Sequence, residues 1–192
     1  VTTIIAVQGT GWASMGYDSA VTEAHKKSIV KNSKYFKRGE FHVVFAGDLR
    51  AGQIISNELI LPSSKSIVTY EEFDKYIYSD FIGSLINVLK DNDVELTEEK
   101  GWPIEMLVMW NGIVCEVSSD LSFGREDRGM YALGTGQGYG LGALSALYSG
   151  GTQKSANEAI KQALTIASEY DAYTGLPANV ISTKLKSNWK DI

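Results

Sequence analysis

Two residues of the opening segment "VTTIIAVQGTGWASMGYDSA" have types suited to nucleophilic chemistry, the hydroxyl of Thr2 and the carboxylate of Asp18. The segment reads as two short strands around a tight turn. A three-residue loop over 9–11, with Gly11 in the left-handed position, is a standard hairpin solution. That register sets Gln8 opposite Trp12 and Thr2 opposite Asp18, with both side chains on one face. In an arbitrary hairpin such a pair is only a polar contact at a sheet end. Here the hydroxyl lies beside the first residue of the sequence. A threonine hydroxyl is a poor nucleophile without a base, and a free α-amino group, of pKa about 7.7–8.0, can supply one. Only an N-terminal residue carries both groups. Val1 therefore stands in the way, because an acylated nitrogen is no base. The expectation is that Val1 is removed, or that a chain retaining it is silent.

The elements that must position these residues follow from pattern. "TTIIAV" (2–7), "WASMGYD" (12–18), "SIV" (28–30) and "FHVVFAG" (41–47) read as strands, the last two joined through the basic stretch "KNSKYFKRGE". Residues 49–60 have helical spacing, with Pro62 as the stop. Thr69 and Glu72 form a capping box before one long amphipathic helix over 71–93. "IEMLVMWNGIVCEVS" is a hairpin turning at Asn111-Gly112. "MYALGTG" ends a strand and "YGLGALSALYS" follows as a helix. Ser155 and Glu158 read as a second capping box before the next helix, and "ANVIST" is a final strand. The order is strands, two helices, strands, two helices, strand, without βαβ alternation. Strands such as "TIIAV" and "HVVFA" are apolar on both faces and need cover on both sides. The fold class is therefore α+β, a four-layer αββα sandwich in a single domain spanning 1–192.

Composition narrows the chemistry. The chain has 192 residues, 44% of them hydrophobic, and a formal net charge of -5. That balance argues against nucleic acid as a partner. The single cysteine, Cys115, excludes an internal disulfide, and in "GIVCEV" it reads as a core thiol. His25 and His42 lack metal-ligand spacing, so no metal and no cofactor is expected. No apolar run is long enough for a membrane helix, and no secretion signal is visible. The expected location is the cytoplasm.

With these residues in view, the chain resembles the proteasome β-type subunits and the related bacterial peptidases, threonine peptidases of the N-terminal nucleophile hydrolase superfamily. "TTIIAV" resembles their mature start, and Asp18 falls at the family's spacing. Lys34 in "NSKYF", sixteen residues after Asp18, matches the catalytic lysine. "FAGD" (45–48) resembles the segment whose glycine, here Gly47, forms the oxyanion hole. "GTGQGYGLGAL" (134–144) resembles a Gly-Ser-Gly segment with Thr135 in the serine place. "DAYTG" (171–175) resembles the late Asp-x-x-Ser-Gly motif, with Asp171 and Thr174 in the matching places.

The resemblance implies roles. Thr2 is the nucleophile, tuned by Asp18 and Lys34, with Gly47 binding the oxyanion and Thr135, Asp171 and Thr174 supporting the terminus. Ala20, Val21, Phe45 and Gly47 contact substrate. The neighbours Lys26, Lys27, Lys31, Lys37 and Arg38 read mostly as solvated surface, and spacing alone does not separate Lys34 from Lys31. Gly138, Gly140 and Ala143 also fit a G-x-G-x-x-A fingerprint, which lacks its βαβ context here. The implied function is hydrolysis of polypeptide substrates inside a homo-oligomeric ring, fed by an ATP-dependent unfoldase. The alternatives are an amidase of the same superfamily acting on a small amide, and a catalytically silent structural subunit.

Overall fold

The computed structural model describes residues 2–23, 25–31, 34–94 and 101–191; Val1 lies outside them. The strands are β1 (Thr3–Gly9), β2 (Trp12–Tyr17), β3 (Ala20–Glu23), β4 (Lys26–Ile29), β5 (Tyr35–Arg38), β6 (Phe41–Gly47), β7 (Ile104–Trp110), β8 (Ile113–Val117), β9 (Phe123–Gly124), β10 (Met130–Gly134) and β11 (Asn179–Lys184). The helices are α1 (Leu49–Glu58), α2 (Tyr70–Tyr76), a π turn (Ile77–Phe81), α3 (Ile82–Asp91), α4 (Gln137–Leu147) and α5 (Gln153–Tyr170).

Two antiparallel sheets stack face to face, in the orders β10-β1-β2-β11 and β5-β6-β7-β8-β9. Ile4, Ala6 and Met15 of the first meet Val44, Leu107 and Met109 of the second in a buried layer. The opposite face of the first sheet, with Ile5 and Val7, packs on α4 and α5. The outer face of the second packs on α1 to α3 through Phe45, Met106, Ile55 and Leu85. Strands apolar on both faces thus fill the middle of four αββα layers, as their sequence demands.

The first hairpin departs from the expected register. Gly9 pairs with Trp12, Gln8 with Ala13 and Ile4 with Tyr17, so the turn holds only Thr10 and Gly11. A Cβ on Gly9 would lie 2.3 Å from Trp12 Cζ2. The indole covers the bare Cα of Gly9, a cross-strand pairing available only when the two residues face each other. Continued to the open end, this register sets Thr3, not Thr2, opposite Asp18, and the Asp18 N–H donates to the Thr3 carbonyl at 3.3 Å. A shift of one residue reverses every side chain. Within β1 itself, Thr2 shares the parity of Ile4 and Ala6, which face the second sheet, while Thr3 shares that of Ile5 and Val7 and faces the helices.

Other elements are close to their pattern. Thr69 and Glu72 make the expected capping box. Asn111 (φ 43°) and Gly112 (φ 85°) turn the β7–β8 hairpin. The expected single helix over 71–93 runs through a π turn, which has a reason in the apolar spacing. Phe73, Ile77, Phe81, Leu85 and Leu89 recur every four residues and are all buried. On a straight α-helix each step drifts about 40° around the axis. One wider π turn takes up that drift. Helix α1 ends at Glu58, before Pro62, and the strand expected over 28–30 is β4 (Lys26–Ile29), paired with β3 of equal length.

The cap of α5 lies three residues earlier than the sequence suggested. Thr152 is the N-cap, and its Oγ1 accepts the Ser155 N–H at 3.2 Å. Ser155 is thereby inside the first turn and no capping box with Glu158 forms. Replacing Thr152 by Ala should cost about 1 kcal/mol. Glu158→Ala, on the exposed face, should cost less than about 0.5 kcal/mol. Urea unfolding of both variants checks the assignment, and a larger loss in Glu158→Ala would refute it.

Candidate active site

The site lies where β1 begins and β2 ends. Asp18 is completely buried and each of its oxygens has two donors. Oδ1 accepts the Thr3 N–H at 3.1 Å and the Lys34 ammonium at 2.5 Å. Oδ2 accepts the N–H groups of Ala20 at 3.0 Å and Gly175 at 2.9 Å. Three remote segments and the neighbouring start of β3 therefore converge on one carboxylate. This is how a buried charge is tolerated, since an unpaired carboxylate in a dry interior is prohibitively costly.

Lys34 precedes β5 and is only 4% exposed. Burial pushes its ammonium below the usual lysine range; Asp18 opposes that push, and Lys27 adds to it. A lysine so placed gives up its proton more readily than one on the surface, yet is held in position by Asp18.

A second cluster supports the start of β1 from behind. The hydroxyls of Thr3 and Thr174 lie 2.5 Å apart. Thr174 Oγ1 donates to Asp171 Oδ2 at 2.5 Å, and Thr135 Oγ1 donates to the same oxygen at 2.8 Å. Asp171 is set by the end of α5, where its N–H caps the Ala167 carbonyl at 2.8 Å. Gly134, at φ 89°, passes so close to β1 that a Cβ there would lie 2.1 Å from the Thr2 carbonyl oxygen. The glycine ahead of Thr135 is thus required by close backbone approach. Helix α4 follows an antiparallel strand, so the G-x-G-x-x-A run sits in no dinucleotide-binding unit.

A cavity of about 930 Å³ opens against this framework. Thr2, Val21, Lys34, Phe45, Gly47 and Thr135 line it. Asp18, Asp171 and Thr174 stand behind it. Ala20 does not line it: the residue is fully buried, and its N–H is given to Asp18. Phe45 turns its ring toward α1, where a Cβ on Gly52 would lie 2.0 Å from it. Cys115 is buried away from the cavity in the helix-facing core, and burial pushes its thiol far up. Among the described residues no cluster of three metal-ligating side chains occurs. No helix among them is long and apolar enough to cross a membrane.

Sequence reasoning missed three participants. Thr3 was hidden by the register error, although Trp12 beside a Gly9 turn was the available signal. Gly175 donates from the backbone, which no side-chain pattern reveals. Lys27 is exposed, as read from the sequence, and its ammonium also donates to the Thr174 carbonyl at 2.5 Å, a contact no side-chain pattern reveals.

No protein-family model matches this chain, and no curated protein matches it. Solved structures do. BPH from Thiobacillus denitrificans superposes with a TM-score of 0.80 at 19% identity, covering 97% of this chain and 100% of that one. The same protein in complex with epoxomicin gives 0.80 at 20% identity, covering 96% and 100%. HslV from Trypanosoma brucei gives 0.67 at 16% identity, covering 95% and 99%. The resemblance read from the sequence therefore holds at the level of architecture: the chain has the fold of a proteasome-like N-terminal nucleophile hydrolase.

Proposed function

We propose that the chain is a threonine-type endopeptidase whose nucleophile is Thr2. The observation that carries this reading is the buried Asp18–Lys34 pair beside a cavity lined by Thr2. In the proposed cycle Thr2 Oγ attacks the scissile carbonyl carbon and its proton passes to the Thr2 α-amine. Gly47 is assigned the developing oxyanion. The intermediate collapses to an ester on Thr2 as the leaving amine takes that proton. Water, deprotonated by the same amine, then hydrolyses the ester and restores the hydroxyl. The positive charge of Lys34 favours the deprotonated forms of hydroxyl and amine. Polypeptide substrates, a homo-oligomeric ring, an ATP-dependent unfoldase as partner and a cytoplasmic location complete the reading. They rest on the likeness to proteasome-type peptidases.

The mechanism requires a free amine on Thr2, so any preceding residue must be removed. Epoxomicin is the direct probe, because an epoxyketone adduct on a threonine uses the hydroxyl and the amine of one residue. Chains beginning at Thr2 should be labelled, should hydrolyse fluorogenic peptides and should elute as an assembly by light scattering. Robust hydrolysis by a preparation whose intact mass shows Val1 fully retained would overturn the mechanism. An unlabelled Thr2-started chain that cleaves only small amides would favour the amidase reading.

Lys34→Ala should lower kcat/KM at least about a hundredfold, the scale of lost general acid–base help. Three backbone N–H groups still hold Asp18 in that variant, so its circular dichroism should remain native. Lys31 is exposed, and Lys31→Ala should match the parent. Equal rates in the two variants would remove Lys34 from the mechanism.

Phe45 gives the pocket beside Gly47 a large floor. The expected preference is for small apolar side chains before the cleaved bond. Peptide-library profiling reads this directly, and selection of large aromatic residues at that position would contradict it.

A further inference from the structure

We propose that Lys27 is a positioning residue of the site: its ammonium clamps the Thr174–Gly175 peptide and through it fixes Asp18 and Lys34. The inference rests on the threonine-peptidase reading for its catalytic consequence. Its structural part stands on the contacts alone.

Lys27 belongs to β4, in a two-stranded hairpin with β3, paired there with Thr22. Its ammonium reaches the Thr174 carbonyl at 2.5 Å. Its stem lies over Gly175, where a Cβ would sit 2.8 Å from Lys27 Cε and 3.3 Å from Nζ. Any side chain at 175 would push the stem away. The carbonyl that Lys27 holds and the N–H that Gly175 gives to Asp18 Oδ2 belong to one peptide unit. A cation on the oxygen of an amide makes its N–H a stronger donor. Lys27 thus acts on Asp18 across a single peptide plane, while Lys34 acts on it directly.

The hairpin reaches the Asp18 cradle from both strands, β3 directly through the Ala20 N–H and β4 through the Lys27 bond to the Thr174 carbonyl. Thr174 also carries the hydroxyl that meets Thr3. One clamp therefore sets both the Asp18 cradle and the hydroxyl relay behind the terminus.

The charge has a direct effect as well. Asp18 from the β2–β3 corner, Lys27 from β4 and Asp171 from the end of α5 act on Lys34, and the push from Lys27 is downward. Glu23, Asp48, Arg50 and Glu105 are the other charged groups along the cavity. Removing Lys27 should raise the Lys34 titration in two ways. It deletes a like charge, and it weakens the amide that competes for Asp18.

The test compares the parent with Lys27→Met and Lys27→Arg, in the assembled protein, with melting curves as a fold control. In Lys27→Met the alkaline limb of kcat/KM should move up by roughly half a pH unit or more, and Lys27→Arg should bring it back toward the parent. Should Lys27→Met not fold, Lys27→Gln carries the same comparison. Trace acetylation of Lys34 across pH, read by mass spectrometry on a Thr2→Ala background, should show the same upward move without any catalysis. An unmoved limb together with an unmoved Lys34 titration overturns the proposal, even if the rate falls uniformly, because Lys27 would then be merely structural. A parent protein beginning at Thr2 that neither cleaves peptides nor takes up epoxomicin would instead sink the peptidase reading, and the acetylation arm would still decide the role of Lys27.

Discussion

Everything near the site depends on keeping one carboxylate charged where water is absent. Asp18 is 0% exposed, and a bare charge there would neutralise or force the chain open. Its four donors come from β1, β3, the approach to β5 and the loop after α5. Those segments are distant in sequence, from Thr3 to Gly175. Satisfying the charge is therefore equivalent to closing the fold at that end. Three of the four donors are backbone N–H groups, whose positions are fixed by secondary structure rather than by rotamers. The fourth, Lys34, is a side-chain ammonium, and burial loosens its hold on its proton.

The layers explain why the site can exist at this end and not elsewhere. Through most of its depth the gap between the sheets is filled by Ile4, Met15, Val44, Leu107 and Met109. At the start of β1 the filling stops: Gly134 presses on the backbone of Thr2, and Gly47, at φ 115°, ends β6. Small residues on both sheets leave the volume that the core residues occupy further in. The cavity is thus the unfilled mouth of the central layer, bordered by α1 through Leu49, Arg50 and Gln53.

The architecture was legible in the sequence because it follows from burial on two faces and from punctuation. Strands without polar alternation, the Asn111-Gly112 turn and the Thr69–Glu72 box each have one physical reading. What sequence left obscure was decided at the scale of a single residue. A two-residue or a three-residue turn around Thr10 suits the same glycines, and only the indole of Trp12 over Gly9 selects the shorter one. The Thr152 cap was masked because Ser155 and Glu158 also satisfy the capping pattern. Lys34 was separated from Lys31 by family resemblance alone, since spacing offers no reason why one ammonium is buried and the other exposed. Lys27 was beyond reach altogether, because its partner is a backbone carbonyl 147 residues away.

The pleat of β1 also gives two threonines in succession different surroundings. Adjacent residues entering a strand face opposite sides. Thr3 turns toward the helices and spends its hydroxyl on Thr174, in a relay that Asp171 anchors and Thr135 shares. Its N–H holds Asp18. Thr3 is therefore bound at both ends and cannot move without breaking contacts in two layers. Thr2, one residue earlier, takes the other side and lines the cavity. That division follows from alternation along β1 itself, through Ile4 and Ile5, and does not depend on how β1 pairs with β2. Division of labour between neighbours is what the pleat provides: Thr3 ties the start of β1 into the helix layer, and Thr2 is left to border the cavity.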